Sequence, residues 1–126
     1  MCWLCDHPDR STDDFLLEVV MPAVDRLGWT VIAVGADPPL AALAYTVGLT
    51  ARGLPELVVR GLDVRAAWEL LETAVTQVLE DGPPGQGRWE LLGGPTLIAR
   101  RAGTGPLAVA RRLYGGRTRA VSLRAA

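Results

Sequence analysis

Apolar positions recur every three to four residues in parts of the chain and crowd into short β-branched runs in others, and this change of texture lays out the elements. The clearest run is helical. Val64, Ala67, Trp68, Leu71, Ala74, Val75, Val78 and Leu79 fall on one face at 3.6 residues per turn, while Glu69, Glu72, Thr76 and Glu80 take the other. Asp63 stands before it in the N-cap place, and Asp81-Gly82-Pro83-Pro84-Gly85 ends it, since proline cannot continue a helix. An earlier run, Phe15, Val19, Ala23 and Leu27, keeps roughly one face as well. Ser11 or Thr12 caps that helix, Asp13 and Asp14 occupy a first turn that favours carboxylates, and Gly28 suits a left-handed stop. Pro22 lies deep inside, so a kink or break is expected near Met21. A third, short helix is predicted from Leu107 to Tyr114, between Thr104 and Gly115-Gly116.

The remaining apolar runs read as strands. Trp29 to Val34, Leu43 to Leu49 and Glu56 to Arg60 are separated by the turn clusters at 35–39 and 51–55, and short connections suit an antiparallel meander. Arg88 to Leu92 and Thr96 to Arg100 form a predicted hairpin about Gly93-Gly94-Pro95, and Thr118 to Arg124 supplies a last strand. The order α-β-β-β-α-β-β-α-β lacks strict βαβ alternation. The expected fold is therefore α+β, a single domain over residues 1–126 with a largely antiparallel sheet, helices packed on it, and a Cys- and His-bearing opening at 1–11.

Composition supports one core. A chain of 126 residues that is 49% apolar and carries net charge -1 is neither disordered nor too short to bury a core. Chains of this size hide roughly two thirds of their surface on folding. No run approaches the roughly eighteen apolar residues of a membrane helix. The opening does not resemble a signal peptide, so a cytoplasmic location is expected. All thirteen basic residues are Arg, and Lys and Asn are absent, which reflects GC-rich codon usage rather than activity. Charge is unevenly placed: residues 1–90 hold fourteen acids and six Arg, a sum of -8, and residues 91–126 hold seven Arg and no acid, a sum of +7. Such asymmetry can mark a phosphate or nucleic-acid surface. With the total near zero, mutual neutralisation across the fold is the preferred reading, and a nucleic-acid partner is not expected.

The densest chemistry lies at Cys2-Trp3-Leu4-Cys5-Asp6-His7. Two thiols three positions apart and an imidazole two further on can converge on one soft ion, and zinc takes that mixture of sulfur and nitrogen. Zinc wants four ligands and the chain has no other Cys or His. The fourth must come from a carboxylate (Asp6 or Asp14, with Asp13 close by), from water, or from a second copy in a homodimer. The competing readings are a redox pair, although such a pair ordinarily follows a strand and begins a helix, and two uncoordinated thiols. A second candidate set is Tyr45, Thr46 and Glu56, polar groups within apolar strands. If the strands pair, phenol, hydroxyl and carboxylate can face one small-molecule cavity as proton donor and acceptor, the basis of an enzyme reading. The alternative is that Tyr45 packs and hydrogen-bonds while Glu56 sits solvated at a strand start. Arg111-Arg112 can take an anion, though exposed arginines are commoner. Thus three functional classes stay open: a metal-binding domain, an enzyme of small-molecule metabolism, and a homodimeric interaction module.

The joint pattern Met1-Cys2-Trp3-Leu4-Cys5-Asp6-His7-Pro8, Gly28-Trp29, Ala44-Tyr45-Thr46-Val47-Gly48-Leu49, Gly53-Leu54-Pro55-Glu56-Leu57, Gly61-Leu62 and Leu92-Gly93-Gly94-Pro95 resembles the domain of unknown function 4262 family over about residues 1 to 124. The resemblance implies a small cytoplasmic α+β protein of a kind commonest in actinobacteria. It marks the Cys-x-x-Cys-Asp-His opening as characteristic and brings no catalytic assignment. Many relatives carry His just before the Gly-Trp pair, where this chain has Leu27, and usually a further Trp-, Asp- and Pro-rich stretch after the last strand.

Overall fold

The structure is a computed structural model that describes residues 6–35 and 41–126. The first helix, α1, is fastened by a reciprocal cap. Ser11 Oγ accepts from the Asp14 N–H at 3.1 Å while Asp14 Oδ2 accepts from the Ser11 N–H at 2.9 Å. Helix α1 is α-helical over Thr12–Phe15, π-helical over Leu16–Val20 and α-helical again over Met21–Leu27. The kink expected near Met21 thus takes the form of a widened turn directly before Pro22. A proline lacks the N–H and crowds the carbonyl four residues back, here that of Glu18; the π turn relieves that crowding without ending the helix. Gly28 then stops it at φ 85°, its N–H donating to Val24 O at 2.7 Å.

Six strands follow with two more helices: β1 Thr30–Val34, β2 Leu43–Val47, β3 Glu56–Arg60, α2 Val64–Asp81, β4 Gly87–Glu90, β5 Thr96–Ala102, α3 Ala108–Tyr114 and β6 Ala120–Ala125. The sheet order is β1-β2-β3-β6-β5-β4, and every pairing is antiparallel except β3 with β6. The α+β class and the meander stand as the sequence predicts, and so does the hairpin, with its strands at Gly87–Glu90 and Thr96–Ala102 in place of the expected Arg88–Leu92 and Thr96–Arg100. The parallel seam between Glu56–Val58 and Ala120–Ser122 is not a feature that local pattern supplies.

Helices cover both faces. On one, α2 lays Ala67, Leu71, Ala74, Val75 and Val78 against Val31, Ala44, Leu57, Val59, Leu97, Ala99 and Leu123. Asp63 caps α2 by accepting from the Arg65 and Ala66 N–H groups. Leu79, predicted on the buried face, stands 41% exposed at its margin. On the other face, Leu16 and Val20 of α1 and the α3 region (Leu107, Val109, Ala110) pack on Ile32, Tyr45, Val47, Val58 and Ala120. The alternation of Ala44, Tyr45 and Val47 between the two layers is the period-2 geometry of a strand buried on both sides. Strand β2 ends at Val47 rather than Leu49 because Gly48 turns the chain into a single 3₁₀ turn, Leu49–Arg52. An ion pair of Arg112 with Asp13 ties α3 to α1; among the described residues it is the one such bond between the acidic first part and the basic last part of the chain.

Candidate functional site

The turn after β2 is densely hydrogen-bonded, and Glu56 is its centre. Tyr45, Thr46 and Glu56 are all at 0% exposure. The Glu56 carboxylate accepts four hydrogen bonds, two on each oxygen. At Oε1 the donors are the Thr46 hydroxyl (2.8 Å) and the Leu49 N–H (3.3 Å). At Oε2 they are the Thr50 N–H (2.8 Å) and the Thr50 hydroxyl (2.6 Å). Thr46 Oγ1 in turn accepts from the Leu57 N–H at 2.9 Å, which extends the bonding of β2 to β3 beyond the last paired residues, Tyr45 and Val58. Leu49 and Thr50 open the 3₁₀ turn, so the carboxylate of a neighbouring strand caps it in place of a local Ser or Asp.

Backbone geometry explains why the turn has this sequence. Gly48 has φ 127°, and a Cβ there would lie 2.5 Å from Gly28 O and 2.7 Å from Trp29 Cα. The Gly28-Trp29 pair therefore rests directly on Gly48, and Trp29 continues onto Trp68 of α2 with ring centroids 5.9 Å apart. The far end of the turn is held by the residue just before β6: Arg119 donates to Gly53 O at 2.6 Å, and Arg119 O accepts from the Glu56 N–H at 2.9 Å. The residues that sequence reasoning singled out separately, Gly28-Trp29, Thr46, Gly48 and Glu56, form one assembly.

Electrostatics and access bear on what that assembly can do. Burial holds the Glu56 carboxyl above the usual carboxylate range despite four donors that favour the charged form. Thr46 and Glu56 do meet, as the cavity reading requires. Tyr45 does not join them: its hydroxyl accepts from the Val109 N–H at 3.0 Å at the start of α3, and burial raises its phenol. Two surface clefts, of about 500 Å³ and 340 Å³, are lined by parts of 104–118 and of 72–92, and neither touches Tyr45, Thr46 or Glu56. As built, the carboxylate's accepting capacity is taken up by its own turn. Sequence reasoning placed Glu56 at a solvated strand start or in a cavity; it is fully buried rather than solvated, and neither of these two clefts reaches it. The signal that could have revealed the cap is the pairing of a mid-motif glycine with two hydroxyls within reach of one acid.

At the N-terminal candidate site, Cys2 and Cys5 lie outside the described residues. His7 is exposed, and its carbonyl accepts from the Arg10 N–H at 2.9 Å just before α1. Among the acids considered as fourth ligand, Asp14 is engaged with Ser11, whose backbone N–H lowers its pKa, and Asp13 is engaged with Arg112. Asp6 is exposed directly before His7. Among the described residues, no three His, Cys, Asp or Glu side chains cluster to hold an ion, and no helix is long and apolar enough to cross a membrane.

Comparison with known proteins adds one match. The family model for DUF4262, a domain of unknown function, matches residues 23–123, leaving the opening 1–22 outside the matched span. No curated protein and no solved structure matches the chain.

Proposed function

The chain belongs to the DUF4262 family, and from that premise we propose that it is a small metal-binding domain in which Cys2, Cys5 and His7 hold a zinc-type ion. The observation that carries this reading is the donor set: two thiols and an imidazole within six consecutive residues, with His7 exposed at the foot of α1. Asp6 is the preferred fourth ligand, because Asp13 and Asp14 are engaged by Arg112 and Ser11. Among the described residues, the buried clusters on both faces of the sheet draw on none before Phe15. On this reading the ion organises the leading segment ahead of α1.

The test is elemental analysis of protein purified without a histidine tag. About one zinc per chain is expected, falling to background in the double variant Cys2→Ser, Cys5→Ser. A content far below one per chain, or one unaltered by the double substitution, overturns the proposal.

A further inference from the structure

We propose a second site, independent of the metal reading: the cleft around α3 binds a small phosphorylated molecule, with Arg111 as its principal cation. The cleft has a volume of about 500 Å³, within the roughly 300–1,000 Å³ of ordinary ligand pockets. It is lined by Thr104, Gly105, Ala108, Arg111, Arg112, Gly115, Gly116 and Thr118. Among the described residues no carboxylate lines it, although Asp13 is bonded to Arg112. The cleft lies within residues 91–126, which carry seven Arg and no acid, and its charged lining residues are Arg111 and Arg112.

The two arginines are prepared differently. Arg112 is held by its bond to Asp13 of α1, which fixes its direction and leaves part of the guanidinium fork for another acceptor. Arg111 is exposed and, among the described residues, has neither an ion pair nor a hydrogen bond from its side chain. A guanidinium matches the oxygens of a phosphate two at a time, a geometry that a carboxylate satisfies on only one edge. The glycines add room. A Cβ at Gly105 or Gly116 meets nothing within 4 Å, and neither has a left-handed φ, so packing and backbone do not require glycine at either position. Their lack of side chains leaves the lining open there and the backbone approachable by a ligand as broad as a phosphate ester.

The experiment titrates the full chain with inorganic pyrophosphate, followed by ¹H–¹⁵N NMR of the Gly105 and Gly116 amides and the arginine Nε–H groups. Saturable shifts confined to these signals are expected, weakened about tenfold or more in Arg111→Gln. Gly116→Leu, which adds a side chain to the lining of the cleft, should weaken binding similarly, whereas Arg124→Gln on β6 should leave it unchanged. The wild-type spectrum reproduced in each variant shows that the fold is retained. Shifts that never saturate, or that fall equally in Arg124→Gln, overturn the proposal, as does binding to a long single-stranded RNA with none to pyrophosphate.

Discussion

The Thr50 hydroxyl donates to Glu56 Oε2 at 2.6 Å, and the same oxygen takes the Thr50 backbone N–H at 2.8 Å, so one residue grips one carboxylate oxygen twice. With Thr46 and Leu49 on the other oxygen, the acid closes the start of a turn whose N-cap residue, Gly48, has no side chain to do so. Glutamine at this position offers a single acceptor oxygen. Glu56→Gln therefore leaves either the Leu49 or the Thr50 N–H without its partner, and a buried unpaired donor costs roughly 1–3 kcal/mol. Glu56→Ala abandons all four donors and should cost more. Urea unfolding of the three proteins gives the order directly; an unchanged midpoint in both variants contradicts the capping role.

Acid titration of the same group carries a definite sign. The Glu56 pKa in the folded protein lies above its ordinary value of 4.5, with burial as the cause. Between that value and the raised one the folded state binds the proton more tightly than the unfolded chain does. The stabilisation Glu56 contributes is therefore complete below about 4.5 and is lost as pH rises through the folded pKa. The unfolding free energy of wild type minus that of Glu56→Gln should accordingly shrink from pH 4.5 toward neutrality. A difference that is flat or grows with pH would show that the hydrogen bonds outweigh burial.

Removing the Tyr45 hydroxyl tests the contact between the sheet and α3. In Tyr45→Phe the buried Val109 N–H loses its acceptor, with the packing of the ring kept. A loss of roughly 1–3 kcal/mol is expected. Amide exchange at Val109 should accelerate beyond what the global loss explains, which distinguishes a local cap from general loosening.

Glycine scanning separates positions that demand the residue from those that merely contain it. Gly48→Ala places a methyl 2.5 Å from Gly28 O at a φ of 127°, with backbone on the other side of the clash and nothing flexible to yield. Strain and overpacking together predict a loss of about 3 kcal/mol or more. Gly105→Ala, with open space and an ordinary φ, should change stability by no more than about 0.5 kcal/mol. Thermal melts of the two variants side by side decide the point.

Legibility in the sequence follows the range over which each feature is determined. Helix α2 is readable because its apolar face, Asp63 cap and Pro83-Pro84 stop are all local, and strands β1 to β3 because short β-branched runs alternate with turn residues. Pro22 announces a disturbance in α1, but whether the helix breaks or widens depends on packing of Leu16 and Val20 against the sheet. Glu56 is unreadable for a stronger reason. Its polarity among apolar neighbours gives the same signal whether it faces a substrate or a backbone turn. Only the return of Leu49 and Thr50, which depends on the contact of Gly48 with Gly28 and Trp29, settles which. The pairing of β3 with β6 spans the intervening α2, hairpin and α3, a separation that no local pattern encodes.

Strand β6 lies between β3 and β5 and bonds to both, although it follows both in sequence. On a translating ribosome the meander and the hairpin emerge as two separate pieces, each with an open hydrogen-bonding edge, until residues 120–125 arrive to zip them together. Folding to a continuous sheet is thus deferred to a late, long-distance step, and the nascent chain meanwhile presents two edges on which foreign strands can add.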